Sequence, residues 1–158
     1  MKFSHLLTAV PAVLIVLGAG SALAGSTINK VGVLVCVVDK WDETEPEKGH
    51  KLVDYAGRCV NIPDDTTVMA KAAEDCKGSY EYMPDGSWKG LGTCDLITKE
   101  GDKLSQAWEE GSHLKESTFK ITGGSGKFQG ASGGGTYSYE SLTDTLSGGR
   151  YNGKIELP

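Results

Sequence analysis

The sequence predicts an all-β fold, a small antiparallel β-barrel of about eight strands, from three observations. Short apolar or alternating runs recur along the chain, and turn-forming residues separate them. Seven or eight strands at this spacing are typical of a sandwich or a barrel. The chain also contains 22 glycines in 158 residues, which favours a small barrel because its strands bend sharply at the corners.

The first 24 residues are predicted to be a signal peptide. Lys2 precedes an apolar stretch, residues 6–17, and Ala22-Leu23-Ala24 is a small-x-small cleavage site. The stretch is shorter than the roughly 20 residues that cross a bilayer, although a retained anchor is the alternative. We expect cleavage after Ala24, no membrane span afterwards, and one secreted or periplasmic barrel domain over residues 25–158.

The charge of the chain argues against one class of partner. The formal net charge is −5, and the signal peptide carries a lysine but no acid, so the mature chain is more acidic still. An acidic surface repels phosphate groups, and the sequence contains no basic stripe. We therefore expect no nucleic-acid partner. The sequence does not indicate the oligomeric state.

Four cysteines, all after the cleavage site, indicate the redox chemistry. They are Cys36, Cys59, Cys76 and Cys94, and an even number in an oxidising compartment predicts two disulfides with three possible connectivities. Zinc is the alternative, but its sites usually show paired C-x-x-C or histidine-rich spacing, which is absent here. We expect no metal and no cofactor.

The first half of the mature chain is predicted to contain two strands and one helix-like stretch. The valine-rich run 31–38 indicates a buried strand, 41–50 a charged loop, and 51–62 a weakly patterned second strand. Residues 63–75 are helix-like because aspartates near the start could cap a helix and good helix formers occupy 69–74. A long surface loop is the alternative for this stretch.

A hairpin over residues 76–94 is the clearest local signal. Pro84-Asp85-Gly86 separates two strand-like runs. Proline presets φ at the second turn position, and glycine accepts the positive φ that closes the loop. A three-residue loop of this type pairs Met83 with Ser87.

This register satisfies the cysteines, the aromatic residues and the charges together. On one face it sets Tyr82 opposite Trp88, Tyr80 opposite Gly90, and Cys76 opposite Cys94, and on the other face it sets Glu81 opposite Lys89. We therefore predict a Cys76–Cys94 bridge and, by elimination, a Cys36–Cys59 bridge. The alternative is a Cys59–Cys76 bridge that closes the intervening loop.

The C-terminal half continues as short strands separated by turn signals. The predicted strands are Leu104–Trp108, Ser117–Thr122, Gly134–Glu140 and Tyr151–Leu157. In the last of these, apolar and polar residues alternate, as in a half-buried strand.

A glycine-rich segment carries a family resemblance. Residues 121–137 read ITGGSGKFQGASGGGTY, which is similar to the glycine-rich hairpin of allene oxide cyclase-like barrels, of dirigent proteins and of small secreted bacterial barrels. Upstream, Gly101-Asp-Lys and Trp108-Glu-Glu-Gly111 resemble the preceding strand of such barrels. The resemblance spans roughly residues 75–158 and looks closest to uncharacterised secreted bacterial members.

The resemblance implies a calycin-like, allene oxide cyclase-like fold: an eight-stranded antiparallel barrel with a central cavity. It does not imply an activity, because this barrel hosts cyclases, stereochemical guides and binding proteins. No cyclase or dirigent catalytic residue falls on a matching position of this sequence. On balance, the sequence favours a protein that is not an enzyme, without deciding the question.

Six aromatic residues are the candidate ligand-binding set. They are Tyr80, Tyr82, Trp88, Trp108, Tyr137 and Tyr139, and they could line a pocket for a small apolar or aromatic ligand. The alternative is that they fill the core, as side chains do in most small barrels. One of Glu109 and Glu110 faces inward if the strand persists, where a carboxylate could act as an acid or base. Two solvated acids at a strand end are the favoured interpretation.

These observations leave three functional hypotheses. The first is a barrel that binds a small apolar or aromatic molecule or serves an envelope role. The second is a cofactor-independent cyclase or isomerase of the allene oxide cyclase type, and the third is a solid-cored structural or interaction protein. A cavity would separate the first two hypotheses from the third.

Overall fold

The computed structural model describes residues 25–67 and 69–158, so the predicted signal peptide lies outside the described residues. Its strands are β1 (Thr27–Glu47), β2 (His50–Pro63), β3 (Ala72–Tyr82), β4 (Trp88–Thr98), β5 (Lys103–Gly111), β6 (Ser117–Ser125), β7 (Ser132–Ser141) and β8 (Leu146–Glu156). A 3-10 turn, Gly126–Phe128, connects β6 to β7. No helix among the described residues is long and apolar enough to cross a membrane.

The eight strands close into one antiparallel barrel. Each strand pairs with the next along the chain, and β8 pairs with β1 from Thr27–Glu156 to Val37–Leu146. The ladder between β6 and β7 is the shortest of the eight and runs from Ser117–Tyr137 to Lys120–Gly134. The predicted all-β, eight-stranded barrel is confirmed.

The β3–β4 hairpin has the predicted register. Tyr82 lies opposite Trp88, and the Met83 backbone N–H donates to the carbonyl of Ser87 at 2.8 Å across a three-residue loop. On the outer face, Lys89 Nζ lies 2.8 Å from a carboxylate oxygen of Glu81. Turn chemistry, aromatic pairing and charge pairing therefore agree on one register, because a slip of one residue would reverse every side chain.

Replacing Gly86 with valine should destabilise the protein by about 1–2 kcal/mol, because β-branched residues resist left-handed backbone conformations. Gly86 has φ +85°, and its position for a side chain faces open space, so the effect isolates backbone strain. Gly86→Asn is the matched control, since asparagine tolerates this conformation. Urea unfolding would measure both variants, and equal stabilities would contradict the turn geometry.

Two disulfides cross neighbouring strands on the inner face of the barrel. Cys36 on β1 is joined to Cys59 on β2, with Cα atoms 4.0 Å apart, and Cys76 on β3 is joined to Cys94 on β4, with Cα atoms 4.1 Å apart. All four side chains border the interior cavity. The alternative pairing of Cys59 with Cys76 does not occur in the structure.

The helix-like interpretation of residues 63–75 is wrong. Strand β2 continues to Pro63, an irregular segment follows, and β3 begins at Ala72. Ala72 and Glu74 are buried in alternation with exposed neighbours, which is the period of a strand. The β3 ladders to β2 and β4 therefore override the local helix propensity of these residues.

The charged segment 41–50 is a continuation of the β1–β2 hairpin instead of a loop. Strand β1 runs to Glu47, and β2 begins at His50. Charged pairs lie across this extension: Lys40 Nζ lies 2.5 Å from Asp54, and Lys51 Nζ lies 2.7 Å from Glu43. Such cross-strand pairs stabilise a solvent-exposed ladder that hydrophobic patterning cannot reveal.

The interior is closed at one end and open at the other. At the closed end, beside the β6–β7 connection, apolar side chains pack together with Phe128 of the 3-10 turn; these are Leu96, Leu104, Ile121 and Ile155. The β1–β2, β3–β4, β5–β6 and β7–β8 connections all lie at the opposite end, because neighbouring strands are antiparallel. This open end leads to the cavity.

Candidate functional site

A cavity of about 610 Å³ occupies the open half of the barrel. Its mouth is bordered by Trp41 on β1, by Trp88 on β4 and by the β7–β8 connection around residues 143–147. The interior is therefore not solid, which argues against a solid-cored structural barrel. Space of this size is typical of small-molecule sites.

All six aromatic residues of the candidate set line this cavity: Tyr80, Tyr82, Trp88, Trp108, Tyr137 and Tyr139. They also contact one another. The Tyr82 and Trp88 rings stack with centroids 6.0 Å apart, and the Tyr80 and Trp108 centroids lie 5.5 Å apart. The rings form a packed wall that surrounds a space, so both sequence interpretations describe part of the arrangement. Trp41 and Tyr55, which the sequence did not indicate, extend the wall.

Glycines on β3 and β4 make room for the largest rings. Trp108 lies against Gly78 and Gly92, which face each other across the ladder, and a Cβ at either position would overlap its indole. A Cβ at Gly90 would likewise overlap the Tyr80 ring. The absence of side chains at these glycines therefore allows the Trp108 and Tyr80 rings to lie directly against the β3–β4 backbone.

Glu110 is the acid that faces inward. Its side chain is buried, and both carboxylate oxygens accept hydrogen bonds from tyrosine hydroxyls: Tyr137 at 2.6 Å, Tyr139 at 2.7 Å and Tyr80 at 3.3 Å. Glu109 faces solvent and lies 3.2 Å from His113. The favoured expectation of two solvated acids is thus wrong for Glu110, because β5 continues to Gly111 and keeps Glu110 on the face of Trp108.

The tyrosines around Glu110 remain hydrogen-bond donors. Burial, reinforced by the charge of Glu110, raises the pKa of Tyr80, Tyr137 and Tyr139 far above the usual value. The same two causes raise the pKa of Tyr55 to about 12. Protonated phenols hold the Glu110 carboxylate in a fixed position, where it can accept a hydrogen bond or a proton from a molecule in the cavity.

A second buried acid, Glu74, lies deeper in the barrel. Its two carboxylate oxygens accept hydrogen bonds from Asn61 Nδ2 and from Gln106 Nε2, each at 2.5 Å. Burial raises the pKa of Glu74, while Lys30 and these two hydrogen bonds act in the opposite direction. Together these four side chains form the polar floor of the cavity.

Lys30 supplies the cation of the polar floor. Its side chain is only 1% exposed, and Nζ lies 4.4 Å from the centroid of the Phe119 ring and 4.3 Å from that of Tyr151. Burial lowers the pKa of Lys30 to about 8, and the charge of Glu74 opposes this decrease. The ring faces partly replace water around the ammonium group.

Two solved structures share this architecture. The pterocarpan synthase dirigent protein GePTS1 aligns with a TM-score of 0.56 and 13% identity over 84% of this chain and 91% of its own. The pterocarpan synthase dirigent protein PsPTS1 aligns with a TM-score of 0.55 and 11% identity over 84% of this chain and 96% of its own. The chain has a dirigent-like fold. The resemblance predicted from the glycine-rich segment is thereby confirmed at the level of fold.

A comparison of the sequence with protein-family models and with curated proteins found no match. At 13% identity or less, the structural similarity describes the fold of the dirigent-like barrel and assigns no site residue. The chemistry of the site therefore has to be derived from the side chains themselves.

The polar floor of this dirigent-like barrel was not predicted from the sequence, although the alternation of residues along each strand contains the signal. Glu74 precedes Cys76 by two residues, Asn61 follows Cys59 by two, and Gln106 precedes Trp108 by two. Alternate residues of a strand share a face, so an inward-facing cysteine or tryptophan places these polar residues inward as well.

One cluster of the described residues has metal-ligand spacing. Ligand atoms of Cys59, Glu74 and Cys76 lie within 4.8 Å of one another. Both cysteines are in disulfides, however, so neither offers the thiolate that binds a metal. The Glu74 oxygens are also engaged by two amides, and we assign no metal site here.

Proposed function

We propose that the mature chain is an exported dirigent-like barrel that binds a small aromatic or apolar molecule in its cavity. The observation that carries this proposal is the cavity of about 610 Å³ with a wall of aromatic rings. Burial of a planar apolar body against these rings contributes about 25 cal/mol for each Å² removed from water. The two disulfides fit the oxidising compartment that the predicted signal peptide implies.

Unpaired polar atoms indicate that the ligand also carries polar groups. Gln106 Oε1, Trp108 Nε1 and Tyr151 Oη are buried and make no hydrogen bond to any other described residue, and all three residues line the cavity. A polar substituent on the ligand would form hydrogen bonds with these atoms. A molecule with an apolar ring and one or two polar substituents would satisfy both the wall and the floor.

Intrinsic fluorescence provides a direct test. All three tryptophans of the chain, Trp41, Trp88 and Trp108, line the cavity, so quenching reports on its occupancy. We expect 4-nitrobenzyl alcohol, a planar quencher, to bind the mature protein saturably. Its affinity should change little with salt, because the contact is apolar and uncharged.

Tyr82→Ala should weaken this binding about fivefold, since an aromatic contact contributes about 1 kcal/mol. Leu91→Ala is the matched control, because Leu91 is exposed on the outer face of the neighbouring strand. Linear quenching without saturation, or equal affinities for the two variants, would refute the proposed site.

A cofactor-independent cyclase or isomerase is the second candidate function, and Glu110 is the observation that favours it. A buried carboxylate held by three phenols faces the space where a substrate would fold. The structural neighbours are pterocarpan synthases by name, which suggests phenolic compounds as a substrate panel. Chiral chromatography should detect isomer formation that Glu110→Gln abolishes, whereas binding without turnover would reject this candidate.

A further inference from the structure

We propose that Lys30 reacts with an aromatic or apolar aldehyde or ketone in the cavity and forms a reversible imine. The inference rests on the proposed ligand-binding function and names the class of ligand. It assigns a covalent role to a lysine at the polar floor, well below the mouth of the barrel.

The surroundings of Lys30 support this reactivity. The side chain lines the cavity and is 1% exposed, and Nζ lies between the Phe119 and Tyr151 rings. Within the described ranges 25–67 and 69–158, no side chain or carbonyl makes a hydrogen bond or close ion pair with Nζ. A structural lysine buried to this extent normally has such a partner, because an unpaired buried charge is costly.

An amine between apolar rings is also a good nucleophile. Burial lowers the pKa of Lys30 to about 8, so a much larger fraction is neutral near neutral pH than for a solvated lysine. The titratable groups near it are Glu74 on β3, whose charge raises the pKa of Lys30, and Tyr151 on β8, whose ring lies 4.3 Å from Nζ. Desolvation in an apolar pocket is one of the ways by which proteins activate lysine toward carbonyl groups.

The chemistry balances without an added oxidant or reductant. The nitrogen lone pair forms a bond to the carbonyl carbon while the carbonyl π electrons move to oxygen, and a proton passes from nitrogen to that oxygen. The carbinolamine then loses water: its C–O bond breaks, a C=N bond forms, and the second nitrogen proton leaves. Tyr151 Oη and Gln106 Oε1, which have no hydrogen-bond partner among the described residues, line the same cavity and can accept hydrogen bonds from the carbinolamine hydroxyl.

Reductive trapping tests the inference. The mature protein is incubated with equimolar 4-nitrobenzaldehyde and sodium cyanoborohydride, and the modified lysine is located by peptide mass spectrometry. Among the lysines, we expect the fast adduct on Lys30 alone, formed about tenfold or more faster than on any exposed lysine because more of its amine is neutral. Excess 4-nitrobenzyl alcohol, which binds but cannot form an imine, should slow this labelling.

Two variants complete the experiment. Lys30→Arg keeps the cation but cannot form the imine, so the fast adduct should disappear, whereas Lys154→Arg removes an exposed lysine and should leave it unchanged. Site mapping and competition on the unaltered protein decide the question even if Lys30→Arg does not fold.

The outcomes separate this inference from the proposed function. Labelling spread over exposed lysines, together with saturable binding of the alcohol, overturns the imine and leaves the binding function in place. Absence of saturable binding overturns both. A fast Lys30 adduct that the alcohol suppresses supports both.

Discussion

Replacing Glu74 with leucine is expected to lower the free energy of unfolding by about 2–6 kcal/mol, because it leaves two buried amide donors without their acceptor, at about 1–3 kcal/mol each. Lys30 would lose the acid whose charge opposes its desolvation. Asn61 and Gln106 would each lose a hydrogen-bond acceptor while remaining buried. Urea unfolding at neutral pH would measure the change.

The controls distinguish charge from packing. Glu74→Gln keeps an amide oxygen as acceptor and should lose less stability than Glu74→Leu. The double variant Lys30→Met with Glu74→Leu also removes the buried cation and should be more stable than Glu74→Leu, because an isolated buried charge is costly. A double variant less stable than Glu74→Leu would contradict this account of the polar floor.

The pH dependence of stability provides an independent test of the environment of Lys30. The pKa of Lys30 is about 8 in the folded protein and 10.5 in its ordinary state, so between these values the unfolded chain binds more protons. Stability therefore rises with pH through this window on account of Lys30. The rise should be smaller in Lys30→Met, which lacks the titrating group.

Removing the Cys76–Cys94 bridge by paired alanine substitutions should destabilise the protein by about 2–5 kcal/mol. The bridge joins residues separated by 18 positions and so restricts the unfolded chain. Its sulfur atoms also contribute to the buried interior next to Tyr80 and Trp108. Chemical denaturation of the variant and of the unaltered protein would give the difference.

Paired alanine substitutions at Cys36 and Cys59 are the matched comparison. That bridge spans 23 positions, and since loop entropy grows only with the logarithm of length, the two losses should be similar. Non-reducing peptide mapping of the unaltered protein should recover both bridges. A peptide linking Cys59 to Cys76 would contradict the pairing on which both estimates depend.

The hairpin of residues 76–94 shows why much of the fold could be predicted. Its turn fixed the loop length, and the loop length fixed the register, so Tyr82, Trp88 and the cysteine pair all followed from local geometry. The glycine-rich segment then indicated the family of barrels. These signals depend on residues close together in the chain, so a single sequence contains them.

The parts that were missed depend on contacts distant in sequence. Residues 72–75 have helix propensity, and only their partners on β2 and β4 make them a strand. Lys30 and Glu74 look like surface charges until the barrel closes and brings them to one floor. A general preference for solvated charges is correct for most acids but failed for Glu110, whose three phenolic donors lie on two other strands.

The ladder between β6 and β7, which has the fewest residue pairs, is where we expect the barrel to open most easily. Separating the two strands of any one ladder turns the closed barrel into a curved sheet with two free edges. The ladder with the fewest backbone hydrogen bonds requires the least free energy to separate. The β6–β7 ladder ends at the pair Ser117–Tyr137, and Tyr137 is one of the hydrogen-bond donors to Glu110. Local opening there would therefore withdraw a donor from the carboxylate and widen the wall beside the cavity in a single motion.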